Sequence, residues 1–343
     1  MKEGMYMKIF MIGGTGLLGS EAAKELIARG HEVTTIARAI PPSDGGLPQE
    51  MKVEQGNYLE MTEEELRKKF QGYDGFIFAA GIDERVISTP PVYELYKKHN
   101  VYPIRKLLKI AKGCGVKHSV ICGSYLAYLA KKWPEKELTR WHPYIQSRID
   151  QENAAMEYAD ENFDVSVLEL PYIFGTQPGR KPVWVFLIET ISKMKNVTLY
   201  IDGGTAVVTV RQVGQAVAGA MERNRGGHCY PVGYYNMSWK DMVEIMQRCM
   251  GHTSQKLIYV PRHRCVVESE KLMAKQKSKN LESGMDAVKL ADVQYDKAYI
   301  DKAEGSDFLG VTEDDIDKAI AESVKSCMDF INNKVEMKEM KAD

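Results

Sequence analysis

Several things this sequence does not contain narrow its function before any motif is read. It has no excess of charge: 46 Lys and Arg against 47 Asp and Glu leave a formal net charge of -1. That gives no electrostatic case for binding nucleic acid. Its six cysteines (114, 122, 229, 249, 265 and 327) are scattered and form no C-x-x-C pair. Scattered thiols argue against a disulfide framework or a zinc site, and for reduced cysteines in a cytoplasmic protein. His263 and Cys265 are too few and too close to hold a metal by themselves. No run of about 18 apolar residues occurs, and the opening MKEGMYMKIF has no long apolar h-region. Neither a membrane-spanning helix nor a secretory signal is therefore expected. There is also no internal repeat and no low-complexity tract.

What is present is enough apolar material, 44% of 343 residues, for a large core in one or two lobes. The most informative stretch is Lys8–Gly19, KIFMIGGTGLLG. A short apolar run predicts a strand, and Gly13, Gly16 and Gly19 follow it as G-x-x-G-x-x-G. The helical pattern to about Arg29 puts Leu18, Ala22 and Leu26 on one face. In that context the glycines point to a dinucleotide-binding turn, with the helix N-terminus aimed at a pyrophosphate.

The chain then alternates. Strands are predicted at 31–37, 52–55, 75–80, 119–122 and 165–170, and helices from a Thr62/Glu65 capping box to Phe70, at 91–112 and at 144–160. Most of these strands are nearly continuous apolar runs, which predicts a parallel sheet covered on both faces: a doubly wound α/β fold. Beyond Phe174 the pattern becomes irregular. The expected division is a cofactor domain at 7–173 plus about 205–233, and a smaller, mostly C-terminal substrate lobe at about 174–204 and 234–332. Within that lobe Ser238–Met250 predicts a capped helix, Lys271–Leu290 an irregular polar cover, Thr312–Ile331 an amphipathic helix, and 333–343 a frayed tail.

Two positions bear on the dinucleotide. At the end of the second strand an NAD site carries an acid for the ribose diol. This chain has Ala37 followed by Arg38, a guanidinium able to pair with a 2′-phosphate, so NADP(H) is favoured over NAD(H). The plainer alternative for Arg38 is a solvated surface residue. Asn57 is either a partner for the adenine amino group or an ordinary turn residue.

Hydride transfer needs a proton donor or acceptor at the substrate oxygen, and a tyrosine beside a fixed cation can serve. Three pairs have the i, i+4 spacing that shares a helix face: Tyr93/Lys97, Tyr128/Lys132 and Tyr144/Arg148. The third opens the helix after the fifth strand. That strand ends at Gly123–Ser124, which can bring a hydroxyl to the same oxygen.

These residues, with GGTGLLG, GHEVTTIAR, FIFAAG, CGSYLAY, PYIQSRIDQE and LELPYIFG, resemble the extended short-chain dehydrogenase/reductase family, its NAD(P)-dependent epimerase/dehydratase group. The resemblance is strong over roughly 7–235. It implies Ser124 as a donor to the substrate oxygen, Tyr144 as acid/base, Asn100 as support for a proton relay, and Arg148 in the place of the family lysine. It further implies a cofactor lined by Gly13, Thr15, Gly16, Leu17, Leu18, Gly19, Arg38, Asn57, Ala79, Ala80, Gly81, Tyr144, Arg148, Pro171, Tyr172 and Ile173. A homodimer through the helices at 91–112 and 144–160 is implied as well.

The departures from the pattern matter. Arg148 keeps the positive charge of the lysine but not its shape, which leaves open a site that binds cofactor without turnover. Glu152 repeats the family's acidic position one turn later. Tyr172 stands where nucleotide-sugar members usually carry an asparagine, Gly204–Thr205 where they carry an arginine, and Glu169 where an arginine is common. The diphosphate partners are thus missing, and Tyr125, Tyr172, Phe174 and Trp184 line an apolar pocket or pack a core. Arg85 and Arg211 are candidates for an anionic substrate group or for ion pairs; His142 either assists Tyr144 or has no role. The expectation is an NADP(H)-dependent oxidoreductase acting on a small molecule. The alternatives are a nucleotide-sugar epimerase or dehydratase that retains its cofactor, and a non-catalytic NADP(H) sensor.

Overall fold

The computed structural model describes residues 6–40, 46–194, 196–252 and 255–335. Most of the frayed tail expected at 333–343, and part of the loop after the second strand, lie outside them. In chain order the first half contains β1 (Lys8–Ile12), α1 (Leu17–Ala28), β2 (Glu32–Ala37), β3 (Lys52–Gln55), α2 (Glu63–Phe70), β4 (Gly75–Phe78), α3 (Tyr102–Gly113), β5 (His118–Cys122), α4 (Tyr125–Lys132), α5 (Pro143–Met156) and β6 (Asp164–Glu169). The second half contains β7 (Tyr172–Phe174), α6 (Val185–Ser192), β8 (Gly204–Thr209), α7 (Val210–Arg223), β9 (Gly227–Pro231), β10 (Tyr235–Ser238), α8 (Trp239–Cys249), α9 (Arg262–Ser278), β11 (Lys297–Ala298) and α10 (Ile316–Ile331).

Seven strands form one parallel sheet in the order β9-β6-β5-β4-β1-β2-β3. The alternation of side chains along each strand feeds two cores at once. On β1, Ile9 and Met11 join Ala22, Leu26, Val213 and Val217 from α1 and α7 on one face. Phe10 and Ile12 join Phe70, Ile104 and Leu108 from α2 and α3 on the other. Phe70 meets Phe10 and Phe76 edge-on at ring separations of 5.0 Å each. The strand order reverses between β1 and β4, so a crevice opens at their carboxyl ends, where ligands of such sheets bind.

The smaller sheet is β10-β8-β11, with β7 also paired to β8. Here the structure departs from the expected division: 204–209 and 172–174 belong to the smaller sheet, while the α7 and β9 that follow return to the larger layer. A strand's own residues do not reveal its partner. The helix expected at 91–112 is also not continuous. It begins at Val92, passes through a π-helical turn at Lys97–Val101, and resumes as α3. Pro103 has no N–H to give the His99 carbonyl, so the hydrogen-bond register slips, and the Tyr102 amide bonds instead to Lys97 O. The polar cover expected at 271–290 is in part a helix: α9 buries none of its residues, so it had no apolar stripe to betray it. Among the described residues no helix is long and apolar enough to cross a membrane.

The two predicted caps are present, that of Ser238 on α8 with its Oγ accepting from Asp241 N at 3.1 Å. Thr62 and Glu65 form a capping box on α2. Thr209 and Gln212 form another on α7, where the Thr209 hydroxyl also donates to Asp314 at 2.7 Å. Loss of an exposed cap costs about 0.5–1 kcal/mol, whereas loss of Thr209 also strips a partner from a carboxylate at the junction of the sheets. Urea denaturation should therefore rank Thr209→Ala, at about 2 kcal/mol, as clearly more destabilising than Thr62→Ala. Equal losses would contradict this account of the junction.

Candidate active site

Six sequence-predicted segments meet at the carboxyl edge of the large sheet. Gly13–Gly19 follows β1, Arg38 follows β2, Asn57 lies beyond β3, Ala79–Gly81 follow β4, Ser124 follows β5, and Pro171–Ile173 lie beyond β6. At the first turn Gly13 has φ of 91°, and a Cβ there would stand 2.4 Å from Ala79 O. A Cβ on Gly19 would stand 2.2 Å from Gly13 O. Glycine at 13 and 19 is therefore what lets the turn close and α1 pack directly upon it. Gly16 caps α1 without a side-chain hydrogen bond, and no acid occupies the first turn, so its leading N–H groups are available to an anion.

Beside this turn stands the pair that opens α5. Arg148 Nε donates to Tyr144 Oη at 3.0 Å, and both residues are buried. The rest of the guanidinium is held from behind: Nη1 donates to Gln151 Oε1 at 2.8 Å and Nη2 to Ile82 O at 3.2 Å. Gln151 Nε2 in turn donates to Asn100 O at 2.9 Å. Asn100, fully buried in the π-helical turn, spends its side chain on one neighbour. Its Oδ1 accepts from Ile82 N at 2.9 Å and its Nδ2 donates to Ile82 O at 3.0 Å. An unbroken hydrogen-bond chain thus runs Tyr144–Arg148–Gln151–Asn100.

Burial pushes the Tyr144 phenol above its ordinary range; Arg148 opposes this, Glu84 reinforces it, and a hydrogen bond with Ser124 lowers it again. The phenol is therefore protonated at neutral pH. Ser124 caps α4, its Oγ accepting from Leu126 N at 3.3 Å. The two other tyrosine–cation pairs lie outside this cleft. Tyr93 bonds to Asp150. Tyr128 takes a hydrogen bond from Lys132 at 2.6 Å and gives one to Glu304 at 2.6 Å on the exposed side.

With this geometry described, comparison with known proteins is informative. A model of the NAD dependent epimerase/dehydratase family matches residues 9–233. The chain belongs to that family. This makes it an NAD(P)-dependent enzyme of the extended short-chain dehydrogenase/reductase type. A Synechocystis protein named "Putative dihydroflavonol 4-reductase" is 22% identical over 344 residues, covering 92% of this chain and 93% of its own. The crystal structure of gox2253 superposes with a TM-score of 0.72 at 17% identity, over 96% of this chain and 99% of that one. A UDP-glucuronic acid 4-epimerase from Bacillus cereus, in complex with NAD, gives 0.67 at 15%, over 95% and 98%. At such identities the solved structures speak for the fold alone.

The residues present fit the dinucleotide that the family implies. The close-packed glycine turn and the α1 N-terminus, which has no side-chain cap, form a cradle for a pyrophosphate, and a side chain at Gly13 or Gly19 would force that turn open. The other candidates are placed as follows. Asn57 Oδ1 accepts from Leu59 N at 3.2 Å, the geometry of a turn former. Phe174 and Trp184 stack at 4.5 Å inside a third core, that of the smaller lobe, while half-buried Tyr172 sits against Tyr125 at 5.9 Å. Arg85 is held by Asp83 and donates to Val183 O at 2.9 Å. Arg211 is forked onto Asp314 at 2.6 and 3.0 Å. Both arginines are thus committed to internal carboxylates. Glu152 and Glu169 share Lys131 at 2.7 and 2.8 Å, and burial with the neighbouring Glu152 charge pushes Glu169 up to about 8.

Two residues were missed. Gln151, three positions after Arg148, shares its helix face, and that spacing was the available signal. Glu84 is half-buried in the loop after β4, where its charge acts on Tyr144, Tyr125 and Tyr172. Burial and the Asp83 charge raise its own pKa. Only the loop's path places it there, and no local pattern encodes that path.

His142 is fully buried before α5, with Nδ1 accepting from Asp286 N at 3.1 Å, and burial lowers its pKa to about 4. It is neutral at working pH and has no acid role. The unfolded chain takes up this proton near pH 6.5, whereas the native ring resists it until about 4. The contribution is therefore complete above about 6.5 and lost as pH falls, by up to about 3 kcal/mol. Chemical denaturation of wild type and His142→Gln should show the wild-type advantage shrinking over that window. A gap independent of pH would contradict the assignment.

Proposed function

We propose that this enzyme is an NADP(H)-dependent oxidoreductase of the carbonyl reductase or alcohol dehydrogenase type, acting on a small substrate that is not a nucleotide sugar. The observation that carries the reading is the Arg148 Nε hydrogen bond to Tyr144 Oη, next to Ser124. When bound, the nicotinamide supplies or accepts the hydride. Ser124 and the protonated Tyr144 then donate to a substrate carbonyl oxygen, and Tyr144 passes its proton as that oxygen gains charge. The phenolate left behind keeps the Arg148 donor already in place. Because Gln151 and Ile82 fix the guanidinium, little reorganisation accompanies the step.

Electrostatics support the substrate class. Arg85 and Arg211 are neutralised by Asp83 and Asp314. A diphosphate would find both guanidiniums already committed to carboxylates, whereas an uncharged aromatic or aliphatic carbonyl would meet Tyr125 and Tyr172. Arg38, exposed just after Ala37 at the end of β2, supports NADP(H). Association of two chains through α3 and α5 in a cytoplasmic homodimer completes the reading; light scattering at monomer mass would remove it.

A panel of aldehydes, ketones and alcohols, followed by NADPH absorbance, tests the chemistry. Tyr144→Phe is expected to lose about 10²–10⁴-fold in turnover. Arg148→Lys is expected to lose activity too, because a lysine gives up the Gln151 and Ile82 contacts. A large gain in Arg148→Lys would mark a compromised site. Tightly copurified cofactor with no net consumption would favour an epimerase or dehydratase.

A further inference from the structure

Segment 282–286 comes from far along the chain, just after α9, a helix that buries none of its residues. It docks beside the Tyr144–Arg148 pair on three neighbours at once. Glu282 and Ser283 pair antiparallel with Ser88 and Ile87, in the loop after β4. Glu282 Oε2 accepts from Val92 N at 2.7 Å, where the helical turn of Val92–Tyr96 begins. Gly284 O accepts from Tyr144 N at 2.9 Å, and Asp286 N donates to His142 Nδ1 at 3.1 Å. The entry to α5 is thus held at two points, and Met285 between them is buried.

Tyr96 stands among these contacts. It is fully buried, its ring meets that of Tyr144 edge-on at 5.4 Å and 66°, and its Oη donates to Asp83 O at 3.1 Å. The φ of Gly284 is not positive, so its backbone does not call for glycine. Its neighbour does: a Cβ at Gly284 would stand 2.0 Å from Tyr96 Oη and 2.6 Å from Tyr96 Cζ. Ring and segment share that space only while residue 284 carries no side chain. The loop that accepts the Tyr96 hydroxyl also carries Ile82, whose carbonyl takes Arg148 Nη2 at 3.2 Å. The Gly284–Tyr96 contact therefore bears on both members of the pair. It reaches Tyr144 through its amide and its ring, and Arg148 through residues 82–88.

We propose that Gly284 and Tyr96 are positioning residues for proton transfer, acting through Tyr144 and Arg148. The proposal rests on the reading of Tyr144 as the acid and extends it to a segment more than a hundred residues away in the chain. The bond to Gly284 O sets where the first turn of α5 stands, and the edge of Tyr96 limits the swing of the Tyr144 ring, so that its Oη stays at Arg148 Nε. Displacing the segment moves the acid without removing any group that takes part in the chemistry.

Gly284→Ala, alone and combined with Tyr96→Phe, tests this in the whole protein. In hydrogen–deuterium exchange, Gly284→Ala is expected to speed exchange about 10-fold or more in peptides covering 142–146 and 282–288, with those of β1 and β4 unchanged. Turnover of the most rapidly reduced aldehyde or ketone is expected to fall at least about 10-fold, while the Kd for NADPH stays within about 2-fold. Adding Tyr96→Phe removes the atom of closest approach and is expected to restore part of both losses. A merely structural tyrosine would not behave so, since losing its bond to Asp83 O would add to the damage. Glu282→Ala frees the segment at Val92 without crowding Tyr96, and it carries the test if Gly284→Ala does not fold. It is expected to loosen the same peptides and lower the same turnover, with no recovery on adding Tyr96→Phe. Unchanged exchange at 142–146, a double variant no better than Gly284→Ala, or NADPH affinity falling in step with turnover would each overturn the proposal. If Tyr144→Phe loses turnover and Gly284→Ala keeps it, the acid reading stands and the positioning role is overturned. If Tyr144→Phe keeps full turnover, the acid reading itself fails and the proposal with it.

Discussion

The candidate active site depends on one hydrogen bond, from Arg148 Nε to Tyr144 Oη, made between side chains that have both left water. A buried guanidinium is costly unless its donors are satisfied. Three different acceptors meet the Arg148 nitrogens: a phenol, the Gln151 amide and the Ile82 carbonyl. They come from two separate demands of the fold. Helix spacing supplies Tyr144 and Gln151; the π-helical turn supplies Asn100, which pins both Ile82 and Gln151. Gly81, with φ of 124°, lets Asn100 approach, since a Cβ there would stand 2.6 Å from its Oδ1. The guanidinium at position 148 is thus accommodated by a whole wall of the candidate site and does not stand alone.

Around that wall the two sheets divide the work. The large parallel sheet presents the glycine turn, Arg38 and Ala79–Gly81 along one edge. The smaller sheet begins at Tyr172, immediately after the last residues of β6, and carries the aromatic side of the cleft. The loop after β4 joins them: Ile82 holds Arg148, Glu84 sets the local potential, and Arg85 reaches Val183. Segment 282–286 then closes over the start of α5, with Gly284 O accepting from Tyr144 N at 2.9 Å. Tyr144 is consequently held at its backbone by Gly284 and at its hydroxyl by Arg148.

The features legible in the sequence were those whose signal is local. The glycine turn could be read because steric closeness admits no side chain at Gly13 and Gly19, and β1 because its apolar run precedes that turn. Tyr144 and Arg148 could be paired because four residues separate them on a helix. Features set by distant contacts were not legible. Nothing in Gly204–Thr209 says that it pairs with Tyr172–Phe174 and not with the large sheet. Nothing in Asp83–Glu84–Arg85 says that the acid faces Tyr144. The helix at 262–278 was hidden for the opposite reason, since it buries no residue and so has no apolar period to detect.

The central claim is that Tyr144 waits as a protonated acid, with the donor that will stabilise its anion already bonded to it. Ultraviolet titration of tyrosinate in the dinucleotide-free protein, comparing wild type with Tyr144→Phe, tests this most directly. The account predicts that the two curves coincide through neutral pH and part only above 10, the ordinary tyrosine value. A phenolate that appears near neutral pH in wild type and is missing from Tyr144→Phe would contradict it.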